Sequence, residues 1–185
     1  MDDPLFTKVQ FTNSVVSKIK DTSIQNFLIA CLDDFPNYFW IAPSSGSGKY
    51  HPADERGYGG LVLHTKRVVK LVEDLSVMYE LSYYEQDVLI TAAVLHDSWC
   101  KGLDPDTTHY STDLYHSLYP LQQFPYKCWG DRFIPERVWD DIMSCVVAHM
   151  GKWSITRWVD VDKKLPNVLK LADYIASRSH ITVNV

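Results

Sequence analysis

Val88-Leu89-Ile90-Thr91-Ala92-Ala93-Val94-Leu95-His96-Asp97 is the stretch on which the fold turns. It is apolar, Ala-rich and free of charge until it ends in a His-Asp pair. Upstream, Ser82-Tyr83-Tyr84-Glu85 has the S-x-x-E form of a capping box, in which each side chain satisfies a backbone donor at a helix start. The run therefore reads as a buried helix that delivers His96 and Asp97 at its C-terminal end. Two adjacent metal-competent side chains there rarely help packing, so the pair asks for a ligand.

Working outward, helical periodicity recurs on both sides. Leu61, His64, Val68, Leu71, Val72 and Leu75 repeat at three- and four-residue intervals, predicting a helix from Leu61 to about Tyr79 with His64 on its core face. A helix from about Pro135 to Met150 places Val138, Ile142, Cys145, Val146 and His149 on one face, with Pro135 at a plausible first position. The last clear helix, about Pro166 to Ser177, carries Asp173 among its apolar residues. Two N-terminal stretches, Phe6 to Ile19 and Ile24 to Leu32, read as packing helices ending in the aromatic cluster Phe35, Tyr38, Phe39 and Trp40. A short helix is expected over Thr112 to Tyr119, and strand signal is confined to Ile181-Thr182-Val183. The fold class is all-α.

Composition removes several function classes. At 185 residues, one domain is the default. A formal net charge of -5 leaves no global basic surface for nucleic acid, so a polyanionic substrate has to be held locally. Cys31, Cys100, Cys128 and Cys145 form no C-x-x-C pair and read as reduced core thiols. With no apolar run long enough to cross a membrane and no signal-like N-terminus, the expected location is cytoplasmic.

The chemistry lies in a constellation. His64, His96 with Asp97, His149 and Asp173 each sit on, or at the end of, the apolar face of a separate helix. Singly, such a histidine is more often a hydrogen-bonded core residue. Together they match a metal shell, because buried carboxylates facing imidazoles and a cation are compensated.

In this order, the residues resemble the signature of the HD-domain metal-dependent phosphohydrolase superfamily: a His, then a His-Asp pair, then a distant Asp on a helical scaffold. His64, His96, Asp97 and Asp173 match it. Gly59-Gly60-Leu61-Val62-Leu63-His64-Thr65, Ala92-Ala93-Val94-Leu95-His96-Asp97 and Val147-Ala148-His149-Met150-Gly151-Lys152 are similar to the branch containing HD-domain 3′-to-5′ exoribonucleases. The likeness covers about residues 49 to 178. It implies a single helical bundle, 1–185, with a metal site between central helices. Residues 1–42 would be packing helices, 43–60 a loop bordering the site, and 61–178 the metal-binding core. Two departures stand out. Lys101 lies one position beyond the lysine of the usual His-Asp-x-Gly-Lys run, and Met150 stands where relatives often have a second histidine.

The resemblance also implies that His116 and His149 serve a second cation or, if one ion binds, contact phosphate or protonate the leaving group. Mixed imidazole and carboxylate donors suit Mn²⁺, Fe²⁺, Co²⁺, Ni²⁺ or Zn²⁺, as one or two ions. Asp97 would ligate and orient water, while Lys49, His51, Lys101 and Lys152 flank the ligands as candidate donors to phosphoryl oxygens. Trp99 and Trp153 are the candidate base-stacking residues. The loop Ser44-Ser45-Gly46-Ser47-Gly48-Lys49-Tyr50 is not a Walker A motif, since Pro43 and Tyr50 stand where that motif needs Gly and Ser or Thr.

The expected function is hydrolysis of a phosphate ester of a nucleotide by metal-activated water. A 3′-to-5′ exonuclease or phosphodiesterase acting on short oligonucleotides or cyclic dinucleotides is the alternative. A non-catalytic nucleotide-binding or scaffold module is the reading from another class. The expected partners are a small nucleotide or a short nucleic acid and no membrane, with homodimerisation through the aromatics near Phe35 to Trp40.

Overall fold

The computed structural model describes residues 4–125, 134–151 and 163–185, with side chains from residue 7 onward. Seven α-helices occur among the described residues: α1 (Pro4–Val16), α2 (Thr22–Asp33), α3 (Gly60–Met78), α4 (Tyr83–Leu95), α5 (Tyr119–Gln123), α6 (Glu136–Ala148) and α7 (Lys164–Ala176). Turns of 3-10 helix form at Asn37–Trp40, Ala53–Glu55 and His116–Leu118. No strand occurs among the described residues, Ile181-Thr182-Val183 included. The fold is all-α.

Helix α4 is the axis of the bundle. Its start is the expected capping box: Glu85 N–H donates to the Ser82 hydroxyl, and the Glu85 carboxylate accepts from Ser82 N–H at 2.8 Å. From Asp87 to Leu95 every residue is buried, so this part of the helix has no solvent face, and α2, α3, α6 and α7 pack on the helix. Burying one such side chain, Leu89 for instance, contributes about 1.5–3 kcal/mol. Asp87, the charged member of this run, accepts from the backbone N–H groups of Lys20 and Asp21 at 3.0 and 2.8 Å, which fastens the α1–α2 link to α4.

Around this axis α3 packs on α4 and α7, and α6 on α4 and α7. Amphipathic spacing explains the choice of faces: α6 buries Ile142, Met143, Cys145, Val146 and Val147, and α7 buries Val168, Leu169, Ala172 and Ala176. Helix α3 begins after Gly59, whose φ of 71° lies in the left-handed region. At Gly60 a Cβ would lie 2.0 Å from the Glu55 carbonyl oxygen, so only a residue without one lets the preceding 3-10 turn close onto α3.

Two expectations are corrected. Phe35, Tyr38, Phe39 and Trp40 are buried, with Phe39 packed edge-to-face on Phe11, Phe35 and Trp40, so these residues build the core and are not exposed for a dimer contact. The short helix expected over 112–119 starts later. The Asp113 carboxylate accepts from Tyr115 N–H at 2.7 Å, which holds 112–115 in a turn, and helical geometry begins at His116. Cys31, Cys100 and Cys145 are buried without a disulfide among the described residues, and Cys128 lies outside them. No helix among the described residues is long and apolar enough to cross a membrane.

Candidate metal centre

Five elements contribute to one cluster of imidazoles and carboxylates. Helix α3 brings His64, the end of α4 brings His96 and Asp97, the 3-10 turn brings His116, the end of α6 brings His149, and α7 brings Asp173. The turn at 116 returns to the end of α4 because Asp113 N–H donates to the Cys100 carbonyl at 2.8 Å.

The cluster resolves into two triads, His64–His96–Asp173 and Asp97–His116–His149. In the first, His64 Nε2 lies 3.2 Å from Asp173 Oδ1, and His96 Nε2 lies 3.9 Å from the same atom. In the second, Asp97 Oδ1 is 3.2 Å from His116 Nε2 and 3.6 Å from His149 Nε2. Asp97 joins the two, since its Oδ2 faces His96 Nε2 at 3.5 Å and His64 Nε2 at 3.9 Å. Two donors held by one ion at its usual bond length stand about 3.0–3.4 Å apart, so these separations suit a shared cation.

Tautomers support the same assignment. His96, His116 and His149 each direct Nδ1 at the carbonyl three residues back, Ala93, Asp113 and Val146, at 2.7, 2.6 and 2.6 Å. A carbonyl can only accept, so each Nδ1 carries the proton and each Nε2 presents a lone pair to the cluster. Among the described residues, the buried atoms His64 Nε2, His96 Nε2 and Asp97 Oδ1 have no hydrogen-bond partner. Orphaned buried polar atoms are costly, and a cation would satisfy all of them at once, displacing the proton that His64 Nε2 otherwise carries. The mixed imidazole and carboxylate donor set fits Mn²⁺, Fe²⁺, Co²⁺, Ni²⁺ or Zn²⁺. All four imidazoles are buried, while the side chains of Asp97 and Asp173 are 16% and 22% exposed, so the cluster opens to solvent on its carboxylate side.

Charge is distributed accordingly. Burial works against ionised His64, but Asp173 and Glu55 outweigh it and raise its pKa to about 10. His96 goes the other way, to about 4, because burial dominates over its acidic neighbours. Burial opposes the Asp97 carboxylate too, yet His96, His116 and His149 hold its pKa well below the usual range. For Asp173, His64 and the other imidazoles overcome burial and bring it to about 2. Both aspartates stay ionised at neutral pH.

Behind His64 lies a group that the sequence did not single out. Glu55 is fully buried; its Oε2 accepts from His51 Nδ1 at 2.8 Å and lies 3.4 Å from His64 Nδ1. Its Oε1 accepts from Arg67 at 2.6 Å, and Arg67 also bonds both carboxylate oxygens of Asp54, at 3.0 and 2.7 Å, and the Val183 carbonyl at 3.1 Å. Burial raises the Glu55 pKa, but His51, His64 and Arg67 together hold it far below its ordinary value. A carboxylate on the far nitrogen of a ligand imidazole fixes its orientation and raises its basicity. A signal for this was present: Arg67 lies three residues after His64 on the same buried face of α3, where a cation requires a carboxylate.

The other sequence candidates are placed as follows. The loop 43–60 does border the cluster, with the His51 ring packed against that of His64 at a centroid distance of 5.1 Å. Lys101 is buried and donates from Nζ to the Ser44 carbonyl at 3.0 Å, which ties that loop to the segment after α4. Lys49 is exposed, its ammonium 5.3 Å from the Tyr50 ring centre. Trp99 lies in the apolar core at 6% exposure, leaving little ring face for a base. Lys152 and Trp153 lie outside the described residues.

No protein-family model, curated protein or solved structure matches the chain.

Proposed function

We propose that this protein is a metal-dependent phosphohydrolase of HD type that hydrolyses a phosphate ester of a nucleotide. One observation carries the reading: four imidazole Nε2 atoms and two carboxylates from five elements converge, with three of the Nδ1 atoms already committed to carbonyls. His64, His96 and Asp173 would hold one divalent cation and Asp97, His116 and His149 a second. Such cations supply Lewis acidity toward phosphoryl oxygens and make a nucleophile available from water at neutral pH.

The chain's own residues do the rest. Asp97 and Asp173, ionised and partly open to solvent, accept hydrogen bonds from the attacking water and set its direction. The four imidazoles close the inner side and exclude bulk water from it. Glu55 and the three carbonyls hold the rings in their orientations, so little reorganisation accompanies reaction. A net charge of -5 favours a small nucleotide over a long strand, because extended strand binding uses a basic groove.

The test is a substrate panel with metal analysis. Purified protein loaded with Mn²⁺ or Co²⁺ is incubated with nucleoside mono- and triphosphates, cyclic dinucleotides and short RNA. Release of phosphate or mononucleotide by wild type, and none by Asp97→Ala, is expected. Bound metal with no release from any substrate overturns the enzyme reading.

A further inference from the structure

Two exposed tyrosines flank the metal centre in the chain. Tyr50 precedes His51, whose ring packs on His64, and is 55% exposed; Tyr174 follows Asp173 on α7 and is 57% exposed. Arg178, one helical turn beyond Tyr174, joins them. Its guanidinium carbon lies 4.3 Å from the Tyr174 ring centre and 5.4 Å from that of Tyr50, and its Nε donates to the Tyr174 carbonyl at 3.1 Å. The Lys49 ammonium lies 5.3 Å from the Tyr50 ring centre.

A tyrosine and an arginine four apart on a helix surface often stack without further purpose. Here the guanidinium also meets a ring from the loop before α3, so two segments that build the metal centre converge on it. Among the described residues no carboxylate pairs with Arg178 or Lys49. The Nη atoms of Arg178 have no partner among those residues either, which leaves the planar fork able to take two oxygens of one phosphate. Two cations without carboxylate partners among the described residues, converging on the Tyr50 ring, favour an anion at this place.

We infer that Tyr50, Tyr174 and Arg178, with Lys49, form the recognition subsite for a mononucleotide. The exposed Tyr50 face stacks the base, Arg178 and Lys49 take phosphate oxygens, and Tyr174 holds the guanidinium in plane. The assignment rests on the phosphohydrolase reading for its substrate class, and it moves base stacking from Trp99 to Tyr50.

Titration calorimetry of the full chain in EDTA, where nothing is hydrolysed, tests it with adenosine 5′-monophosphate, ribose 5-phosphate and adenosine. The nucleotide is expected to bind about tenfold tighter than ribose 5-phosphate, the margin that stacking one base supplies. Tyr50→Ala abolishes that margin. Arg178→Ala and Arg178→Lys both weaken the two phosphates about tenfold and leave adenosine unchanged, since an ammonium does not replace the fork. Circular dichroism establishes that each variant is folded. Equal affinity for nucleotide and ribose 5-phosphate, or wild-type affinities in Tyr50→Ala and Arg178→Lys, overturns the subsite. Nucleotide binding as expected with no hydrolysis by the Mn²⁺-loaded protein removes the phosphohydrolase reading alone. Hydrolysis with KM unchanged in both variants removes the subsite alone.

Discussion

His116 Nε2 lies 3.2 Å from His149 Nε2, and the Nδ1 proton of each ring is given to a carbonyl three residues back. Two neutral imidazoles in these tautomers would point lone pairs at each other across that gap. A proton or a cation has to lie between them, and Asp97 Oδ1, within 3.6 Å of both, completes the arrangement for a cation.

Metal stoichiometry follows from this pairing. Elemental analysis after Mn²⁺ loading and desalting should find two ions per chain in wild type and one in His116→Ala or His149→Ala. Asp97→Ala, which removes an oxygen from both triads, should retain the fewest. Equal metal content in wild type and Asp97→Ala would sink the assignment.

Proton release accompanies metal uptake. The folded-state pKa of His64 is raised from 6.5 to about 10 by Asp173 and Glu55 acting against burial. In the metal-free protein its stabilising contribution is therefore complete below pH 6.5 and is lost as pH rises through about 10. A cation at Nε2 must displace that proton. At pH 8 calorimetry in buffers of different ionisation enthalpy should register at least about one proton released per chain, and affinity should strengthen about tenfold per pH unit. Affinity independent of pH between 7 and 9 would contradict this.

Arg67 and Glu55 should be coupled in stability. Arg67→Ala leaves a buried carboxylate without its guanidinium, and urea denaturation should show a loss of about 3–5 kcal/mol. The double variant Arg67→Met with Glu55→Leu should lose less than Arg67→Ala alone. Glu55→Gln keeps the shape but weakens the hold on His64 Nδ1, so metal affinity should fall about 10- to 100-fold while the fold persists.

Gly60→Ala should be destabilising well beyond an ordinary surface change. Its Cβ would stand 2.0 Å from the Glu55 carbonyl oxygen, which is backbone and cannot rotate aside. A cost above about 1 kcal/mol in denaturation, together with weaker metal binding, is the expected pair of results. Stability equal to wild type would show that the 3-10 turn at Ala53–Glu55 is free to move away from α3.

The helices were legible because their signals are local: the capping box at Ser82, the three-four spacing from Leu61, and the apolar faces of α6 and α7. His64, His96, Asp97, His116, His149 and Asp173 were legible for a related reason, since each is a metal-competent side chain in or next to a helical segment. Glu55 escaped notice because it lies in an irregular loop, where burial depends on how the chain folds back. The burial of Phe35 to Trp40 is hidden for the same cause, a short aromatic turn having no periodicity to reveal which side is covered. Tyr50 and Arg178 were invisible as a pair because they are distant in the chain and meet only across the tertiary fold.

His96 and His149 are the C-caps of α4 and α6. Helix C-termini carry a partial negative charge, roughly half an electron each, from aligned carbonyl dipoles. Two such ends therefore aim at one point, and the peptide backbone favours positive charge there before any carboxylate is counted. Replacing the aspartates would weaken the hold on an ion while leaving this bias in place, so that the fold itself, and not only its acidic side chains, selects for cations.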